Sequence, residues 1–268
     1  MTSQQEAALQ NVDAPVAIVT GASTGIGHAL AGEFADHGYR VVMAAEEPRI
    51  YDAVAEYADR GAGVAAVQAD LSTPEGVEEL YSRTRALGVP AVAALNVGIG
   101  VSGRFDETSL DDDLRLIDLN VRSTVHLAKL VVRDMVAKGD GKILVTSSIA
   151  AVAPGPYHST YAASKAFVHS FAEGLREELK DTGVTVTSLM PGPTDTEFFA
   201  RADMEDTKVA QGHKDDPREV AHDGYLALMA GKASVVAGSF KNRIQAELGT
   251  HLPDAVAAPI MARQTKPQ

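Results

Sequence analysis

The sequence predicts an α/β protein: a doubly wound, seven-stranded parallel sheet with helices on both faces, a three-layer αβα sandwich. Three observations carry this. Short β-branched runs alternate with longer helical patterns, and strands separated by helices imply right-handed crossovers between parallel neighbours. The strand candidates are apolar on both sides rather than alternating, as a sheet buried on two faces requires. Finally, 268 residues with 45% apolar and 22% charged side chains suit one sizeable domain with a large core. That domain is expected over 14–249, between a flexible polar N-terminal tail, 1–13, and a C-terminal tail, 250–268.

Each element has its own signal. "VAIVT" (16–20) is the first strand, and the helix after it, 25–37, should end at Gly38. "RVVMA" (40–44) leads into a helix over 49–60, with Pro48 near its start and Gly61 at its end. "GVAAVQ" (63–68) precedes a helix over 74–87 that opens on Pro74. "AVAAL" (91–95) is followed by the longest helix, 109–138, with Ser109 as its cap and "LDDD" as first-turn acids. "KILVTS" (142–147), a helix over 159–182, "VTVTSLM" (184–190), a helix over 216–231 and "SVVAG" (234–238) complete the pattern. Two stretches resist it: 196–216 and the residues after Gly249. The first is long and polar for a connection, which marks a lid or binding loop.

Composition narrows the function. A net charge of −12 argues against nucleic acid as the main partner, because phosphate binding needs a basic surface. No cysteine is present, which excludes disulfides, thiol catalysis and thiolate metal sites. The eight histidines are scattered and none pairs at ligand spacing, so no metal site is expected. No apolar run reaches the length of a membrane span, and the N-terminus lacks the basic and apolar regions of a signal peptide. A cytoplasmic protein that binds no membrane is the expectation.

The stretch "VAIVTGASTGIGHAL" (16–30) reads as a strand, a glycine-rich turn and a helix. Glycines let the backbone approach a pyrophosphate, and a helix N-terminus offers free N–H groups and a positive dipole end. Its place in the first βα unit is where a doubly wound sheet binds dinucleotides. The turn residues Gly21, Ser23, Thr24, Gly25, Ile26 and Gly27 are therefore cofactor-binding candidates. With the preceding threonine, "TGASTGIG" resembles the short-chain dehydrogenase/reductase family. "ADLS", "LNVG", Asn120, "SS", "YAASK" and "PGPTDT" follow in the family's order over roughly 14–240. The resemblance implies a Rossmann-type fold, a nicotinamide cofactor and hydride transfer.

The reacting groups lie in "PGPYHSTYAASKAF" (154–167) and just before it. Ser148 closes the fifth strand; Tyr161 follows, with Lys165 one helical turn on. A hydride moved between nicotinamide and a carbonyl carbon leaves an alkoxide that needs a proton, or requires an alcohol to lose one. A phenol with an unperturbed pKa of about 10 is a poor base near neutrality, and an ammonium beside it should lower that value. The resemblance assigns Tyr161 the acid/base role. It has Ser148 donate to the substrate oxygen and Lys165 bond the nicotinamide ribose. Asn120 would hold a water linking Lys165 to solvent and bend its helix. Ser147 should face away from Ser148, and Tyr157 is a pocket wall.

By the same resemblance, the end of the second strand selects the cofactor. Ala45 stands at the usual aspartate position, with Glu46 where NADP enzymes often carry arginine. The expectation is NAD, with Glu46 on the adenosine ribose and NADP less favoured, although Arg49 is close enough in sequence to reach a phosphate. Asp70 and Leu71 would meet the adenine, or Asp70 caps the loop ahead of Pro74. Asn96 and Gly98 keep the family's loop while Leu95 and Val97 depart from it. Pro191, Gly192, Thr194 and Thr196 would hold the carboxamide. Substrate walls are Ile99, Val152, Tyr157, Phe198 and Phe199, with Val101, Phe105 and Met204 nearby, favouring an apolar or aromatic ketone or alcohol. Rival readings are an NADP-dependent ketoreductase of the 3-oxoacyl-reductase type and an inactive dinucleotide-binding scaffold. A halohydrin dehalogenase is disfavoured, since that relative replaces the lysine by arginine and lacks the dinucleotide turn. Family members pair the long helix and the tyrosine helix, so a homodimer or homotetramer is expected.

Overall fold

Strand faces explain the unbroken apolar runs. In β1 (Val16–Thr20), Ala17 and Val19 point into one core while Val16 and Ile18 point into another, because successive side chains alternate across a sheet. Both faces are covered, so both sets must be apolar. The computed structural model describes residues 13–267; the rest of the expected N-terminal tail, residues 1–12, lies outside the described residues.

The other strands are β2 (Arg40–Ala45), β3 (Val64–Gln68), β4 (Pro90–Leu95), β5 (Gly141–Thr146), β6 (Val184–Pro191) and β7 (Ser234–Ala237). They form the predicted seven-stranded sheet in the order β3-β2-β1-β4-β5-β6-β7, with every neighbouring pair parallel. One face packs against α1 (Gly25–Asp36), α2 (Ile50–Ala55) and a later helix, Pro217–Met229, through Phe34, Ile50 and Val220. The other carries α3 (Pro74–Arg85), whose Pro74 sits in the first turn and whose Thr73 side chain caps Gly76 N at 3.1 Å.

The long helix is not continuous. It runs as α4 (Leu110–Ile117), a π-helical turn over Asp118–Arg122, and α5 (Ser123–Lys138). Ser109 occupies the N-cap position, but its side chain makes no capping bond; the Thr108 hydroxyl instead bonds the Asp113 carboxylate at 2.9 Å. After β5 and a single 3-10 turn (Ile149–Val152) comes α6 (Ser159–Leu179). The 196–216 stretch folds into α7 (Phe198–Arg201) and α8 (Lys208–Gln211) around a small core of Phe199, Ala202, Met204 and Ala210. The helix Pro217–Met229 is α9, followed by α10 (Phe240–His251). Residues after 249, which carry no strand or helix expectation, close α10 and form the whole of α11 (Asp254–Thr265), packed against α8.

Candidate active site

The strand order reverses between β1 and β4, and at such a switch point the carboxyl ends of the strands part to leave a ligand crevice. Here a cleft of about 290 Å³ opens there. Its floor is the glycine turn. Gly21 and Gly25 take φ of +66° and +60°, where side chains are strained. A Cβ on Gly27 would come within 2.2 Å of the Gly21 carbonyl and 2.5 Å of Asn96 Nδ2. Asn96 ties three strand ends together. Its Nδ2 donates to the Thr20 carbonyl at 3.1 Å and its Oδ1 accepts from Thr146 Oγ1 at 3.0 Å, while Thr20 Oγ1 accepts the Asn96 and Val97 amides at 2.9 and 3.0 Å. Thr24, the N-cap of α1, makes no side-chain capping bond, which leaves the first-turn amides to a ligand.

At one end of the cleft, β2 delivers Glu46. Its carboxylate pairs with Arg115 of α4 at 2.6 Å, and Arg115 also reaches Asp70 at 3.5 Å. Partial burial works to raise the Asp70 carboxyl, yet hydrogen bonds from the Ser72 hydroxyl at 2.7 Å and amide at 2.9 Å, together with Arg115, hold it below its usual range. Arg49 is engaged elsewhere. It pairs with Glu47 at 2.9 Å and bidentately with Glu197, while Arg201 of α7 bonds Glu47 and Glu197, each at 2.9 Å. These four charges clasp the 196–216 segment to the end of β2 across the cleft.

At the other end stand the reacting candidates. Ser148 leaves β5 in an extended conformation, and its hydroxyl bonds the Tyr161 phenol while accepting from Ala150 N at 3.1 Å. Ser147 faces away and donates to the Lys165 carbonyl at 2.8 Å, fixing α6 against β5. Lys165 is buried, with Nζ donating to the Thr146 carbonyl at 3.0 Å and lying 5.8 Å from the Tyr161 ring centre. The expected lowering of the phenol by this ammonium is not what dominates. Burial pushes Tyr161 up to about 12, opposed by the Ser148 hydrogen bond, and burial pulls Lys165 down to about 8. Burial therefore favours the protonated form of the phenol across the neutral range.

Asn120 lies in the π turn and is buried behind the cleft wall. Its Oδ1 accepts from Ile99 N at 2.9 Å, and its Nδ2 donates to the Ile99 carbonyl at 2.9 Å and to Ser164 Oγ at 3.0 Å. The extra residue of the π turn places this amide against the loop after β4, so the side chain clamps that loop. Gly98 sits tightly beside it: a Cβ there would lie 3.0 Å from Lys165 Nζ and 3.2 Å from Asn120 Oδ1.

This cleft gathers Gly21, Ser23, Thr24, Gly25, Ile26, Gly27, Glu46, Asp70, Leu71, Asn96 and Gly98 with Ser148, Tyr161, Lys165, Pro191, Gly192, Thr194 and Thr196. Ile99, Phe198, Phe199 and Met204 line it too. Val152 and Tyr157 do not. Val152 faces a second cavity beside β7, and Tyr157, at φ +64°, spends its carbonyl on Gly103 N at 2.8 Å.

Phe105, 72% exposed, also stands outside the cleft. Sequence reasoning missed Arg115, His158, Met261 and Thr265. Only His158 carried a usable signal: it stands three residues before Tyr161, at same-face helical spacing. Among the described residues no three histidine, aspartate or glutamate side chains gather to hold a metal, and no helix is long and apolar enough to cross a membrane.

Comparison with known proteins agrees with this fold. The short chain dehydrogenase family pattern matches residues 15–207. An uncharacterized oxidoreductase of Staphylococcus saprophyticus is 32% identical over 216 residues, covering 80% of this chain and 90% of that one. A short-chain dehydrogenase from Sphingobium yanoikuyae, solved in complex with NADPH, superposes with a TM-score of 0.79 at 28% identity, over 95% of this chain and 98% of that one. The bulky-bulky ketone specific alcohol dehydrogenase from Comamonas testosteroni superposes with a TM-score of 0.76 at 25% identity, over 94% and 95% of the two chains. With the family pattern spanning most of its length and an oxidoreductase aligned over four fifths of it, the protein belongs to the short-chain dehydrogenase family of oxidoreductases.

Proposed function

We propose that the protein moves a hydride between a nicotinamide dinucleotide and an apolar or aromatic ketone or secondary alcohol. One observation carries the reading: Ser148, Tyr161 and Lys165 meet at one end of a cleft whose other end is a glycine turn and a strand-end carboxylate. Gly21, Ser23, Thr24, Gly25, Ile26 and Gly27 would hold the pyrophosphate, Asp70 and Leu71 the adenine, and Pro191, Gly192, Thr194 and Thr196 the carboxamide. When bound, the nicotinamide supplies the hydride for reduction or receives it in oxidation. Tyr161 Oη gives its proton to the carbonyl oxygen in reduction, becoming a phenolate, and in the reverse direction that phenolate takes the alcohol proton. Ser148 donates to the same oxygen, and Lys165 supplies positive charge beside the phenol. Asn120 keeps the facing loop in place.

NAD is the proposed partner, because Glu46 at the end of β2 would repel a 2′-phosphate. A second reading, NADP(H), is favoured by Arg115, which sits between Glu46 and Asp70, and by the NADPH bound to the Sphingobium relative. We read the chain as one catalytic domain that acts in the cytoplasm as a homo-oligomer. The test is a panel of aryl and alkyl ketones, 3-oxoacyl thioesters and secondary alcohols with each cofactor, followed at the nicotinamide absorbance. Turnover of aryl ketones, lowered about a thousandfold in Tyr161→Phe, is expected. Wild-type rates in that variant would leave an idle binding scaffold as the better reading.

A further inference from the structure

Resting on the hydride-transfer reading, a second polar group in the substrate end of the cleft narrows the substrate class. His158 is 6% exposed and lines the cleft, its ring edge-on to Tyr161 with centroids 6.0 Å apart at 68°. It occupies the N-cap of α6 yet makes no side-chain capping bond, and its Nδ1 is buried with no hydrogen-bond partner. A buried polar atom without a partner is uncommon enough to need a reason.

The backbone is shaped to put the ring there. Tyr157 ahead of it takes φ +64°, a left-handed conformation unusual for an aromatic residue. Gly155 leaves the space the ring fills, since a Cβ there would lie 2.8 Å from His158 Nε2 and Cδ2. Thr265 of α11 donates to the Pro156 carbonyl at 2.7 Å and fixes this turn from the other side. Every one of these devices holds the imidazole in place, and none uses its nitrogens.

We propose that His158 is a specificity residue that hydrogen-bonds a second, uncharged oxygen on the substrate, a hydroxyl, ester or further carbonyl a few bonds from the carbon that Tyr161 serves. Burial pulls the imidazole down to about 4, so at neutral pH it offers one donor and one acceptor and no charge. Among the described residues that line the cleft, Arg201 is already paired with Glu47 and Glu197 and the charge of Lys165 lies beside the Tyr161 ring, so no further cation is on offer to a substrate carboxylate. The same cleft is lined by the apolar Ile149, Phe198, Phe199 and Met261, which fits an aryl or alkyl body carrying that oxygen.

The experiment compares kcat/KM of the cofactor-loaded enzyme for acetophenone with that for α-hydroxyacetophenone and ethyl benzoylacetate. The variants are His158→Phe and His158→Gln, with melting curves to confirm folding. In the wild type the oxygenated ketones should be favoured, chiefly through lower KM. His158→Phe should cut that preference about tenfold, the worth of one net hydrogen bond, and His158→Gln should restore most of it. An oxygenated-to-plain ratio unchanged in both variants overturns the proposal while leaving hydride transfer intact. Absence of turnover of all three ketones by the wild type removes the hydride-transfer reading, and this proposal with it.

Discussion

Lys165 shows how a candidate reacting group is held against its own preference. Burial alone draws its ammonium from the usual 10.5 down to about 8, and its one hydrogen bond is to a carbonyl, with no carboxylate to repay the desolvation. Between pH 8 and 10.5 the unfolded chain keeps a proton that the folded chain has released, so stability rises with pH across that window. Below it the whole cost is present, about 3 kcal/mol. Tyr161 works in the opposite sense: its folded value near 12 lies above the usual 10, so stability falls as pH rises from 10 to 12. Lys165→Met should therefore lose activity yet gain stability at pH 7, by less than about 3 kcal/mol because the Thr146 bond goes too. Urea unfolding at pH 7 and 10.5 checks this, with the gain expected to vanish at the higher pH. A gain independent of pH would mean that packing, and not the buried charge, is responsible.

At the scale of elements, the glycine turn works by contact and not by flexibility. Gly27 sits on the first turn of α1, where a methyl group would collide with the Gly21 carbonyl and the Asn96 amide. Gly27→Ala should push β1 and α1 apart and weaken dinucleotide binding at least tenfold in isothermal titration, with the fold retained by circular dichroism. Unimpaired binding would show that the turn can relax. This turn was legible in the sequence because strand, turn and helix lie within fifteen residues. So were Ser148, Tyr161 and Lys165, whose spacing is set by one strand end and one helix. Arg115 was not, because its partner Glu46 is 69 positions away and no local pattern announces the pair. The helix α11 was hidden by Pro259 in its interior and by exposed Val256 and Ile260, which blur its stripe. Val152 was misjudged because a 3-10 turn after β5 rotates it away from Ser148.

For the whole molecule, an apolar stripe remains uncovered along α4, where Leu110, Leu114 and Ile117 are 70%, 49% and 42% exposed at helical spacing. Phe167 on α6 is half exposed and stacks on Phe171. A face of this kind suits the pairing of two copies, and Leu114→Glu should shift sedimentation toward monomer; an unchanged assembly would point to another face. The cleft has a consequence beyond chemistry. It runs across the β1–β4 seam, touching β2 through Glu46 and β6 through Pro191, so a dinucleotide lying in it spans both halves of the sheet. Such a ligand acts as a removable internal brace, adding about 2.7 kcal/mol at a hundred times its dissociation constant. The abundance of this protein in a cell would then follow the local nicotinamide pool, with depletion read out as faster degradation.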